Sequence, residues 1–121
     1  MNLRDSILGA TDRKLKPVDV PEWGATVYLR ELSAAQVAAF KAKSIAAVDL
    51  KTNEIKDAAA LTELEVTVCL WGICDESGQR VFTDNDVRLL GEKSPLVISR
   101  LADEIIKMSG VGRTVADAKN A

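Results

Sequence analysis

DAAALTELEVTVCLWGIC, residues 57–74, is the stretch on which the fold turns. Its second half, Val66–Cys74, is an apolar run rich in β-branched residues that, taken alone, reads as a buried strand. Its first half has helical spacing. Leu61, Leu64, Val68 and Trp71 recur on one side, Glu63 and Glu65 take the wet side, and Asp57 stands where a helix cap belongs. No breaker separates the halves, so the spacing predicts one helix running from Asp57 to Cys74. From Val66 onward that helix is apolar on every side. A small domain offers little cover for such a helix, so some of Val66, Leu70, Trp71 and Ile73 are expected to meet a partner chain. For Trp71, core filling is the competing role.

On the N-terminal side lies KLKPVDVPEWGATVYLRE. Val18 and Val20 alternate with polar neighbours, PEWG supplies turn chemistry, and Val27 and Leu29 alternate with Thr26, Tyr28 and Arg30. This reads as a β-hairpin with Trp23 at its tip, open either to the core or to a partner. A lone hairpin is barely stable in water, so its apolar face has to lie on helices or join another chain's sheet. Ahead of it, LRDSILGA is a short helix closed by Gly9, too short to stand without docking. After it, Ser33 and Gln36 have the spacing of a reciprocal capping box, with Leu32 and Val37 as the staple. The helix starting there is anchored by Val37, Phe40, Ile45 and Val48. DLKTNEIK then breaks the pattern and reads as a flexible loop.

On the C-terminal side, CDESGQRVFTDNDV gathers four acidic residues, which raises the question of a metal loop. A calcium loop needs glycine at its sixth position and a long bidentate carboxylate at its twelfth. Counted from Asp75 those places hold Arg80 and Asp86, so the stretch reads as a turn followed by a helix start at Thr83, capped by Asp86 and stapled by Phe82 and Val87. Ser94 and Pro95 then open PLVISRLADEIIKMS. Its stripe of Val97, Leu101 and Ile105, widened by Ile98, Ala102, Ile106 and Met108, exceeds one packed face and is a second candidate contact surface. Gly110 and Gly112 end that helix. Residues 1–110 read as one domain and residues 111–121 as a tail.

The composition narrows the function. There is no histidine, which removes Ser-His and Cys-His nucleophile pairs and most zinc sites. The pairs Glu63 with Glu65 and Asp103 with Glu104 diverge on a helix, and no glycine cluster forms a phosphate loop, so the chain is read as no enzyme and as needing no cofactor or metal. A net charge of -2 gives no broad attraction for nucleic acid. No apolar run is long enough to cross a membrane, and neither a secretory signal nor an organelle presequence is evident, which points to the cytoplasm. Cys69 and Cys74 are expected to be buried, inert thiols. The fold class is α+β and mostly α-helical: an N-terminal hairpin on a bundle of about four helices.

Three segments together resemble the tail assembly chaperones of long-tailed bacteriophages and prophages. They are VPEWGATVYLREL, VCLWGICDESGQRVFTDNDVRLLGEKSP and the closing ADAKNA, and they cover about half of the chain. The resemblance implies a chaperone that holds the hydrophobic tape measure protein, helps recruit tail tube subunits, self-associates, and works in the host bacterial cytoplasm without entering the mature virion. A head-tail connector or tail terminator is the alternative with similar size and element content. On the chaperone reading the residues expected to face partners are Val66, Leu70, Trp71, Ile73, Val97, Leu101, Ile105, Ile106 and Trp23.

Overall fold

The computed structural model describes residues 2–49, 54–55 and 58–111. The expected cap at Asp57, and the tail beyond Val111, lie outside them. Among the described residues a three-stranded antiparallel sheet packs on a helical layer. The helices are α1 (Leu3–Gly9), α2 (Ala34–Ala47), α3 (Ala58–Gly72), α4 (Val87–Leu90) and α5 (Pro95–Met108).

The hairpin forms as the alternation predicts. Strand β1 (Leu15–Val20) pairs with β2 (Ala25–Arg30) in a register that sets Val18 opposite Val27 and Lys16 opposite Leu29. Pro21–Trp23 makes a single 3₁₀ turn, and Gly24 closes it at φ 61°, a left-handed conformation that glycine adopts without strain. The hairpin solves its stability problem within the chain. The helix through residues 57–74 stops at Gly72, and Ile73–Cys74 turn into strand β5, setting Ile73 opposite Leu29 and Cys74 opposite Tyr28. The continuous helix expected to Cys74 is therefore two residues too long. A third strand covers the open edge of β2, a long-range pairing that outweighs local helical continuity. Upstream, the Thr67 hydroxyl donates to the Glu63 carbonyl at 2.9 Å, which satisfies it within α3.

Residues 49–56, read as a loop, also contain order. Strands β3 (Val48–Asp49) and β4 (Glu54–Ile55) pair antiparallel, so α2 ends at Ala47 and Val48 lies in the strand after it. Ile45, the other expected anchor near that end, is exposed. At the start of α2 the capping box forms as predicted. The Ser33 amide donates to Gln36 Oε1 at 2.9 Å and the Gln36 amide donates to Ser33 Oγ at 3.2 Å.

The core lies where α3 and α5 cross beneath the sheet, with Leu29, Val68, Ile73, Leu101 and Ile105 fully enclosed. Gly72 permits that crossing. A Cβ built there would lie 2.6 Å from Ile105 Cδ1 and 2.9 Å from its Cγ2. Ser94 precedes α5, but its side chain makes no capping bond, and Pro95 at the first turn carries the helix start instead. The other end closes in a Schellman motif. The Gly110 amide donates to the Lys107 carbonyl at 3.1 Å and the Val111 amide to the Ile106 carbonyl at 3.3 Å, with Gly110 at φ 73°.

Candidate interaction surfaces

The residues expected to face partners divide into two groups. Val66, Leu70, Ile73, Val97, Leu101 and Ile105 are buried in this single chain and belong to its core. Their apolar surface is used internally, with α3 packed against α5, α2, α4 and β2. The broad stripe of α5 serves both α3 and β2. Trp23, Trp71 and Ile106 are only partly buried and pack against that core. They retain surface that another molecule can touch.

Trp23 lies in a groove of about 320 Å³ that also takes in Val27, Tyr28, Val81 and Phe82. The segment that built the metal question forms one wall of it. The Asp75 carboxylate accepts from the Ser77 hydroxyl at 2.6 Å, the Ser77 amide at 2.9 Å and the Gln79 amide at 3.1 Å. Those bonds, the Ser77 hydroxyl foremost, hold its pKa below the ordinary carboxylate value. Gly78 turns the chain at φ 86°, and its carbonyl accepts from Arg30 Nη1 at 2.8 Å. The returning strand-like segment lies against β5: Cys74 bridges to Arg80, and the Val81 amide donates to the Ile73 carbonyl at 3.2 Å. Arg80 is held by Asp84 at 2.9 Å and by the Leu70 carbonyl at 3.3 Å. The Asp86 carboxylate then accepts from the Thr83 amide at 2.8 Å, so the acidic residues serve as turn and cap. Val81 and Phe82 are thereby presented between two fixed points. Val81 is exposed and Phe82 half-buried. Phe82 was legible in the sequence only as a staple; an aromatic residue just after a turn was the available sign of a second use.

The other wall is fixed to α5 by charge. Arg100 makes a bidentate pair with Glu22 at 2.9 and 3.0 Å, which lowers the Glu22 pKa. Lys16 Nζ lies 2.6 Å from Glu104 and lowers its pKa likewise. The Leu32 amide donates to Ser109 Oγ at 2.9 Å at the far end of the hairpin. Trp23 therefore sits on a braced tip. Asp75 and Glu76 give the groove an acidic rim.

A second groove, of about 500 Å³, lies between α3 and α4, with Val66 and Val87 among its apolar residues and Glu63, Arg88 and Glu92 around them. Neither cysteine is placed for chemistry. Burial pushes the Cys69 thiol up to about 12, assisted by Glu65 and Asp103, and burial raises Cys74 against the opposing pull of Arg30.

Two grooves with apolar lining thus lie on a scaffold braced by ion pairs, and no group of three or more His, Cys, Asp or Glu is placed to hold a metal ion among the described residues. Residues 2–121 match the phage tail assembly chaperone family, and the chain belongs to it. The chain is similar to the tail assembly chaperone of bacteriophage HK97, with a TM-score of 0.63 and 26% identity over 87% of this chain and 95% of that one. No curated protein matches it.

Proposed function

We propose that the chain is a non-enzymatic holder of the tape measure protein, binding apolar helical segments of it in the host cytoplasm, keeping them soluble, and helping to bring tail tube subunits onto them. On this reading copies of the chain associate with one another, and the protein is absent from the mature virion. The observation that carries the proposal is the groove around Trp23, Val81 and Phe82, which offers apolar and aromatic surface on a family member that buries six of its other expected contact residues within the single chain. Its volume lies within the roughly 300–1,000 Å³ of ordinary binding clefts, and aromatic anchors in such clefts carry a disproportionate share of binding energy.

Co-expression tests this. Wild-type chain is expected to hold tape measure segments in the soluble fraction and to co-purify with them. Trp23→Ala is expected to weaken that complex by about tenfold or more while leaving the far-ultraviolet circular dichroism unchanged, in line with the loss of a central aromatic contact. Tape measure segments that precipitate equally with and without wild-type chain would refute the reading.

A further inference from the structure

The three-stranded sheet leaves a ladder position open at Thr26. The Glu31 amide donates to the Lys14 carbonyl at 2.8 Å, so, alternating along the register, Leu29 with Lys16, Val27 with Val18 and Ala25 with Val20 are the pairs that exchange backbone bonds. Thr26, Tyr28 and Arg30 therefore aim their N–H and C=O groups at the other edge of β2. Tyr28 meets Cys74 of β5 there. β5 then ends, because the Asp75 amide donates to the Gln79 carbonyl at 2.9 Å and the chain folds back along the far side of β5. Thr26 is left exposed, and its N–H and C=O have no backbone partner among the described residues. Its hydroxyl donates to Asp19 at 2.7 Å.

Elsewhere this sheet discourages added strands. By the same alternation the outward positions of β1 are Leu15, Pro17 and Asp19, and Pro17 in their middle has no N–H to offer. The far edge of β5 is taken by Arg80 and Val81. The open position at Thr26, by contrast, faces the groove of about 320 Å³ walled by Trp23, Val27 and Phe82. The charged residues lining that groove, Asp75 and Glu76, are both acidic. Asp75 is engaged by Ser77 and Gln79, whereas Glu76 makes no ion pair among the described residues.

We infer that Thr26 receives a short extended stretch of a partner protein, which exchanges a pair of backbone bonds with it in continuation of β5 and brings a basic side chain to Glu76. Directly opposed residues share a face, so the partner residue opposite Thr26 points to the Thr26 side of the sheet, and its neighbour sets an apolar side chain into the groove beside Val27. Main-chain bonds supply the attachment, and the groove and its charge supply the selection. This contact rests on the reading of the groove as a partner site and adds the form the partner takes there. A helix has its own backbone groups already bonded, so the paired residues lie at the end of a helical segment or between two of them.

Residue-resolved amide exchange of the full chain, free and with a soluble tape measure segment, tests it. In the free chain the Ala25 and Val27 amides are expected to be protected by β1 while the Thr26 amide exchanges freely. On binding, the Thr26 amide is expected to slow by about tenfold or more, with Ala25 and Val27 unchanged. Thr26→Pro removes a donor that the fold itself leaves unpaired and is expected to weaken the complex by about tenfold or more, whereas Thr26→Val keeps the N–H and binds as wild type does. Glu76→Lys is expected to weaken the complex several-fold at low salt. Should Thr26→Pro disturb the hairpin, the exchange of the wild-type Thr26 amide still decides. Binding that leaves Thr26 exchange untouched and tolerates both Thr26→Pro and Glu76→Lys would overturn the ladder contact and leave the groove as a partner site. A wild-type chain that binds no segment would remove both.

Discussion

α3 and α1 are both helices with more apolar surface than one face requires, and the molecule treats them in opposite ways. α3 lies among α5, α2, α4 and β2, and its Val66, Val68, Leu70 and Cys69 are enclosed. α1 hangs from the free end of the hairpin and encloses nothing. An apolar helix is therefore not itself an interface. Where the chain returns to it from several directions it becomes core, and where the chain leaves it behind it stays available. The surfaces on offer are consequently peripheral: the hairpin tip, the returning segment after Asp75, and α1.

The strongest way to break this comparison is to place a charge on the internal side of it. Ile105→Asp puts a carboxylate where Ile105 is fully buried against Gly72, and the chain is expected to lose its cooperative fold, a cost on the order of 4–5 kcal/mol or more, read as lost helicity and a collapsed thermal transition. Retained helicity with lost partner binding would instead return Ile105 to the surface. Next in size is Gly72→Ala, which drives a methyl into Ile105 where α3 and α5 meet and is expected to lower stability by about 1–3 kcal/mol in denaturant titrations.

The sequence marked the local devices well and the long-range ones poorly. The capping boxes at Ser33 and Thr83 and the hairpin turn at Gly24 depend on residues three or four apart, and all of them are found in place. The switch from helix to strand at Gly72 depends on Leu29 and Tyr28, more than forty positions away, so the β-branched run from Val66 carried a strand signal without marking where the switch falls. The same distance problem applies to the apolar stripes, six of whose expected contact residues are buried within the single chain. Val97, Leu101 and Ile105 form a visible stripe, but whether α3 or another protein covers it is decided by tertiary packing. The partial exposure of Trp23 was legible, because a hairpin tip leaves part of a large ring outside the core.

The smallest expected effect concerns acid. Glu22 and Glu104 have pKa values lowered from 4.5 by Arg100 and Lys16, so the clamp between hairpin and α5 is complete above about that value and is lost as pH falls through the depressed folded values. Thermal melts between pH 7 and pH 3 are expected to show a shallow decline at the acid end, flattened further in Arg100→Ala. The Trp23 tip is the part of the molecule that would loosen first.

Hydrogen exchange on the full chain, with and without a soluble tape measure segment, tests the account most directly. The amides of α3 and α5 are expected to be strongly protected in the chain alone and unchanged on binding, while new protection gathers at residues 23–28 and 75–82. Weak protection of α3 and α5 in the free chain, with binding-dependent protection concentrated there instead, would show that those helices are the binding surface and that the division between core and periphery is wrong.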